Sequence, residues 1–313
     1  MDIKLIKNRS DIGAGTRGSD MGIDAIEIAA INSGNDYFNR HPYIDVVTHN
    51  ETIYQKNTND FAKRIEHVAE QCERVATTVQ TTLAEGYFPI VLSGDHSSAL
   101  GTMSGIKAKY PDKTLGVIWL DAHADIHSPF TSPSGNIHGM PLAAALSFDN
   151  IDCQINLPTT ATLQQWDRLK NIGIPGAKIN PKDLIYLGVR DYEAAEEDAM
   201  NTLGIKYYKV EEIRFRGILT CLKELIEKLS HCDLLYISFD VDSMDCDRIS
   251  YGTGTPVPSG FYPEEIMEMI DLLQSTDKVV CIEFTEVNPL LDNKGNKMAE
   301  TAFEVLDHIS KNI

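Results

Sequence analysis

Five mostly apolar runs, each five or six residues long, constrain this chain more than any other feature: Phe88–Leu92, Leu115–Leu120, Leu184–Val189, Leu234–Phe239 and Val279–Phe284. Runs of that length with no polar alternation suit strands covered on both faces. Stretches with helical periodicity separate them. Phe61, Ile65, Val68, Cys72, Val75, Val79 and Leu83 recur at spacings of three and four, which predicts a helix over Asp60–Glu85 with Gly86 as its stop. Further helices are predicted over Ser98–Tyr110, Glu196–Leu203, Ile213–Leu229, Pro263–Leu273 and Met298–Ile309, with Pro263 in a first turn where its missing N–H costs nothing. Strands that alternate with helices predict an α/β fold, three layers in the order α/β/α around a mostly parallel sheet. No linker or repeat breaks the alternation, so residues 1–313 read as a single domain.

The residues just past each run carry the chemistry. They are Ser93-Gly94-Asp95-His96, Asp121-Ala122-His123-Ala124-Asp125, Arg190-Asp191, Asp240-Val241-Asp242 and Thr285-Glu286. Polar groups thus collect at the carboxyl ends of the strands, the edge at which open α/β sheets bind ligands. Asp121, His123 and Asp125 stand at i, i+2 and i+4, and Asp240 and Asp242 share that spacing; in extended backbone such side chains point the same way. Gly94 is expected to let the chain turn tightly before His96. With His96 the edge offers two imidazoles and four carboxylates. Four carboxylates packed in a partly desolvated site repel one another, and divalent cations relieve that repulsion. Six side chains exceed what one ion usually takes, so two ions sharing bridging carboxylates fit better, and a carboxylate-rich set favours Mn²⁺ over Zn²⁺.

Net charge narrows the partners. The chain carries 46 acidic against 28 basic residues, a formal charge of -18. That balance opposes nucleic acid and anionic membranes, which need a basic footprint, and suits a cationic small molecule. No apolar run reaches the ~18 residues that span a membrane, and Met1-Asp2-Ile3-Lys4 lacks a signal-peptide pattern. The six cysteines are scattered, with no CxxC pair, as expected of reduced thiols in a cytoplasmic enzyme, most of them filling the core. Two long loops remain, Asp11–Gly22 and His123–His138, and ordered loops of that length are often functional. The part from Ser128 to His138 starts beside the ligand motif and is expected to touch substrate. His138 is a candidate proton shuttle and Glu286 a candidate anchor for a cationic group. Glu193 and Glu196 taken alone read as the acidic cluster of a helix start.

Ser93-Gly-Asp-His-Ser97, Asp121-Ala-His-Ala-Asp125, Ser238-Phe-Asp-Val-Asp242 and Gly254-Thr255-Pro256 together resemble the ureohydrolases, the group that includes arginase and agmatinase. Within that group Gly13–Gly18, Ser134-Gly-Asn-Ile-His-Gly139 and Glu286-Val-Asn-Pro289 are similar to the arginase version. The resemblance implies a mostly parallel sheet, two Mn²⁺ per subunit and homotrimers or homohexamers. It implies one ion on His96, Asp121, Asp125 and Asp240 and the other on Asp121, His123, Asp240 and Asp242, with Asp121 and Asp240 bridging. Asp125, His138 and Glu286 would be catalytic: Asp125 relays a proton, His138 protonates the departing amine, and Glu286 holds the guanidinium, with Thr255 nearby. Ser134, with Asn136 beside it, would meet the substrate α-carboxylate, and Glu196 the α-amino group. His127 stands where arginases usually carry Asn at the α-carboxylate, and Glu193 where they carry Asp at the α-amino group. Asp245-Cys246 replaces a usual Asp-Pro, and the loop from there to Thr255 is one residue longer. The implied reaction is cleavage of L-arginine to L-ornithine and urea. Two alternatives stand beside it: cleavage of another guanidino compound such as agmatine or guanidinobutyrate, and a homologue that binds metal or metabolite without catalysis.

Overall fold

The protein is described here from a computed structural model covering residues 1–57 and 59–313. Among the described residues eight strands form one sheet: β1 Ile3–Asn8, β2 Tyr43–Asp45, β3 Phe88–Ser93, β4 Leu115–Leu120, β5 Leu184–Leu187, β6 Lys206–Tyr208, β7 Leu234–Asp240 and β8 Val279–Thr285. Their spatial order is β2-β1-β3-β8-β7-β4-β5-β6, and every neighbouring pair is parallel. The expected three-layer α/β/α architecture is present. Alternate residues of each strand feed two separate cores. Ile118 and Leu120 of β4 join Ile237 and Phe239 of β7 on one face, against helices Gly22–Asn32, Ile218–Lys228, Pro263–Gln274 and Lys297–Ile309. Val117 and Trp119 join Val91 and Tyr236 on the other, against helices Ile65–Ala84, Ala99–Lys109 and Thr160–Lys170. Burying each such aliphatic side chain contributes about 1.5–3 kcal/mol, which is why these strands tolerate no polar alternation.

Several boundaries differ from the sequence expectation. The helix expected from Asp60 begins at Ile65, because Arg64 sits at φ 56°, outside helical backbone, so Phe61 precedes it. The helix expected over Ile213–Leu229 is two helices, Val210–Arg216 and Ile218–Lys228, divided by Gly217 at φ 87°. Strand β5 stops at Leu187, short of Val189, because Gly188 turns at φ 96°. Pro263 does open its helix, and Glu265 Oε2 accepts the Tyr262 N–H at 2.7 Å in the first turn. All six cysteines are free, and five are buried. No helix among the described residues is long and apolar enough to cross a membrane.

The topology places the site. From β4 the chain proceeds to β5 and β6 on one side, then returns to β7 and β8 on the other. The crevice at that reversal lies between the carboxyl ends of β7 and β4, with those of β8 and β3 adjoining.

Candidate metal centre

Two imidazole–carboxylate groups meet at this edge. His96 Nδ1 lies 3.0 Å from Asp121 Oδ2, 3.0 Å from Asp125 Oδ2 and 3.2 Å from Asp240 Oδ2. His123 Nδ1 lies 2.9 Å from Asp242 Oδ2 and 3.5 Å from Asp121 Oδ1. Asp121 therefore presents one oxygen to each group. Asp240 turns Oδ2 to the first group, and its Oδ1 accepts the Asp242 N–H at 2.8 Å. Donor atoms about 3 Å apart around a common centre match ligands each ~2 Å from one ion.

The local chemistry demands a cation there. Ser238 Oγ is hydrogen-bonded to His96 Nε2 at 2.7 Å, and the Trp119 indole stacks on the imidazole at 4.0 Å, so the ring is held with Nδ1 facing three carboxylates. Despite those short distances, His96 Nδ1 and Asp121 Oδ2 are both buried without a properly directed hydrogen bond. Burial and the neighbouring aspartates push Asp240 and Asp242 above the usual carboxylate range, and Asp125 up to about 6. Burial would raise Asp121 too, but the flanking His123 and His96 hold it low. The residues present fit two divalent ions that share Asp121.

The local backbone is not the extended chain that the i, i+2, i+4 spacing suggested. The His123 N–H donates to Asp121 Oδ1 at 2.7 Å, and Asp240 caps a short turn at Val241–Ser243. Asp125 (φ 47°) and Glu286 (φ 66°) both adopt left-handed backbone, at a cost of about 1–3 kcal/mol each. Convergence comes from two side-chain-to-backbone turns and two strained residues. Gly94 is needed for close approach and not for an unusual φ: a Cβ there would collide with the Ser10 carbonyl. Gly94→Ala should lower the melting temperature by several degrees, since overpacking costs about 1–3 kcal/mol; an unchanged melt would show that the Ser10 segment yields freely.

Above the two groups lies a cleft of about 230 Å³, lined by His96, His123, Asp125, Asp240 and Asp242 at its floor. His127, Ser134, Asn136, His138, Glu193, Glu196, Thr255 and Glu286 form its walls. Only Asp121, buried beneath, does not line it. Glu286 Oε1 accepts the His96 N–H and is hydrogen-bonded to His138 Nδ1, both at 3.1 Å. Burial opposes protonation of His138, but the charges of Glu286 and Asp125 prevail and hold its pKa at about 9. Thr255 Oγ1 donates to Asp242 Oδ2 at 3.2 Å. Glu193 caps the helix Ala194–Leu203, and Glu196 returns a bond to the Glu193 N–H at 3.1 Å; the helix-start reading of this pair holds, and both also face the cleft. Burial lifts Glu196 to about 8. His127 Nε2 is bonded to Glu193 Oε2 at 2.6 Å, and that bond pulls the Glu193 pKa down to about 2. The Ser134–His138 segment docks on the N-terminal loop through the His138 N–H to Gly13 O at 3.2 Å.

Three residues named from the sequence have supporting roles that the sequence did not reveal. Asp95 accepts N–H groups from Gly13 and Ser97, each at 2.9 Å. The Arg190 guanidinium donates to Asp242 O at 2.9 Å and Val257 O at 2.8 Å, which clamps the loop that carries Thr255. Ser238 had a signal: it stands two residues before Asp240 in the same strand and so faces the same way. Nothing in the sequence marked Arg190 as a loop clamp.

Comparison with known proteins follows the same lines. A model of the arginase family matches residues 1–310. An arginase of Bacillus subtilis is 34% identical over 309 residues, covering 98% of this chain and 97% of that protein. The crystal structure of an arginase from Bacillus cereus superposes with a TM-score of 0.83 at 32% identity, over 99% of this chain and 98% of that one. A formimidoylglutamase from Bacillus subtilis (TM-score 0.74, 22% identity, 100% and 88% covered) shares the fold alone. Matched along its length in sequence and in structure, this chain belongs to the arginase family and is a hydrolase of that family.

Proposed function

We propose that the protein hydrolyses the guanidino group of L-arginine, giving L-ornithine and urea, with two Mn²⁺ ions. The observation that carries this reading is Asp121, whose two oxygens face two different imidazole–carboxylate groups under a cleft of small-molecule size. His96, Asp125 and Asp240 would complete one ion's ligands, and His123, Asp242 and, as a second shared carboxylate, Asp240 the other's. Bound there, the pair supplies a hydroxide nucleophile near neutral pH and neutralises developing charge. The side chains do the rest. Glu286 has Oε1 engaged by His96 and His138, which leaves Oε2 to accept the guanidinium N–H groups. His138 is bonded through Nδ1, so Nε2 is the nitrogen that carries a proton toward the departing amine. Asp125, whose Oδ2 faces the same centre as His96, would take up and relay a proton during the reaction.

The far end of the cleft bears both signs of charge, His127 and Glu193 in contact. An α-amino acid head group is complementary to that pair: its carboxylate meets the His127 ring and its ammonium meets the Glu193 carboxylate, with Glu196 beside them. Ser134 and Asn136 add hydroxyl and amide donors at the rim. Agmatine lacks the carboxylate and so gains no contact from His127, which keeps its own bond to Glu193. The same bond also favours a second reading. Should the His127–Glu193 pair stay closed during turnover, a guanidino compound with a simpler tail is cleaved instead. A panel of arginine, agmatine and guanidinobutyrate with added Mn²⁺ tests this. Urea release favouring arginine by about 10²-fold is expected; comparable turnover of agmatine would overturn the arginine assignment and leave the hydrolase intact. In His127→Ala, KM for arginine should rise about tenfold to a hundredfold while kcat changes little, because the lost contact serves binding in ground and transition states alike. The remaining assignments are a cytoplasmic setting, supported by the free thiols, and one ureohydrolase domain assembled as a homotrimer or homohexamer, in line with the family resemblance.

A further inference from the structure

A second set of donor atoms lies at the opposite edge of the sheet. Asp183 immediately precedes β5, and His231 with Cys232 ends the turn that leads into β7. These are the amino ends of the strands, remote from the cleft. His231 Nε2 lies 2.6 Å from Asp183 Oδ1 and 3.7 Å from Cys232 Sγ, and the three donor atoms fall within 4.8 Å of one another. Asp183 is fully buried. Its Oδ2 accepts the Asn180 side-chain amide at 2.8 Å, which turns Oδ1 toward the imidazole. Cys232 is buried too, and its backbone is held by the Leu229 carbonyl on one side and Lys278 Nζ on the other. His231 is the exposed member, at 42% of its side chain, so an ion has a route in and a water has room to complete the shell.

The spacing suits one metal in particular. A tetrahedral zinc ion ~2.3 Å from sulfur and ~2.0–2.1 Å from nitrogen sets those two atoms about 3.6 Å apart, close to the 3.7 Å observed. The nitrogen–oxygen distance must open from 2.6 Å to roughly 3.3 Å, which rotation of the exposed imidazole supplies. One ring nitrogen has a single site to offer, a proton or a lone pair, and cannot bond a carboxylate and a thiol fully at once. A cation among them lets sulfur, nitrogen and oxygen all donate electron pairs together. A thiolate in the set selects a softer ion than the all-oxygen-and-imidazole cleft does.

We propose that Asp183, His231 and Cys232 form a zinc site, with water as fourth ligand, that ties the start of β5 to the turn before β7. On binding, the Cys232 S–H bond breaks, the sulfur–metal bond forms, and the proton passes to solvent; His231 binds through the Nε2 lone pair and keeps its proton on Nδ1. A thiol must give up its proton to bind a metal, so affinity should rise with pH near neutrality.

Cobalt provides the test. Metal-free full-length protein titrated with Co²⁺ should show a near-ultraviolet thiolate-to-cobalt band that Zn²⁺ displaces. No cysteine is among the described residues that line the cleft, so cobalt bound there adds nothing to that band. The band should be absent in Cys232→Ser, and the affinity read from it should fall at least tenfold in His231→Gln; metal-free melting curves matching the wild type show that both variants fold. No band in the wild-type protein, or an equal band in Cys232→Ser, overturns the proposal. A band with no dependence of affinity on pH overturns the ligand set.

Discussion

In Asp121→Asn, urea release from arginine falls by about 10³-fold or more, and the Mn²⁺-dependent rise in melting temperature disappears. Both effects have one cause. Asp121 is the carboxylate whose two oxygens face different imidazole–carboxylate groups, so its loss would weaken an ion held by either group. Removing a residue that merely supports a ligand typically costs 10–100-fold, and a ligand shared by two ions must cost more. The stability readout separates this from misfolding. A ligand present at about 100 times its dissociation constant stabilises by ~2.7 kcal/mol, which at roughly 2–4 °C per kcal/mol is a gain of about 5–10 °C. That gain is expected in the wild-type protein and not in the variant, while the two metal-free proteins melt alike. An amide keeps the volume of the carboxylate, and the His123 N–H can still donate to its oxygen, so the turn survives. Substantial urea release by this variant, or an undiminished response to Mn²⁺, would remove the basis for a dinuclear centre.

The six candidate ligands were legible in the sequence because each follows a buried run, and a run of apolar residues reports burial without any knowledge of its partners. The order of the strands was not legible. That β8, last in the chain, lies in the middle of the sheet between β3 and β7 depends on non-local pairing that no local pattern records. Strand β1 was missed because Lys4 and Lys7 interrupt its apolar residues, yet Lys7 is buried in the sheet and paired with Glu27 at 2.7 Å. Strands β2 and β6, of three residues each, are too short for any periodicity to show. The spacing of Asp121, His123 and Asp125 led to the right cluster for an incomplete reason, since side-chain-to-backbone turns and the left-handed Asp125 bring the groups together, not a straight strand. His127 and Glu193 were legible as departures from the family pattern. Their mutual hydrogen bond was not, because it joins a loop after β4 to the cap of a helix 66 residues later.

Glu286→Gln is expected to lower kcat by about 10²–10³-fold, the scale for loss of one positioned charge that acts on the transition state. The glutamine oxygen can still accept the His96 N–H and face His138, so the geometry at Oε1 is preserved and the charge alone is removed. Two consequences can be told apart. The guanidinium loses its counter-charge, which lowers kcat at every pH. His138 loses the carboxylate that holds its pKa at about 9, and its pKa falls toward the ordinary ~6.5 of imidazole. A group that must carry a proton to act works below its pKa, so the alkaline limb of kcat against pH, expected near 9 in the wild type, should move toward neutrality in the variant. The variant's deficit should therefore be larger at pH 9 than at pH 6.5. The Mn²⁺-dependent rise in melting temperature should persist, because Glu286 is not among the ligand groups. An alkaline limb that stays in place while kcat falls would mean that His138 does not supply the proton, and would assign Glu286 to the guanidinium alone. A variant with wild-type kcat would remove Glu286 from the chemistry and leave its strained backbone, at φ 66°, without a functional reason.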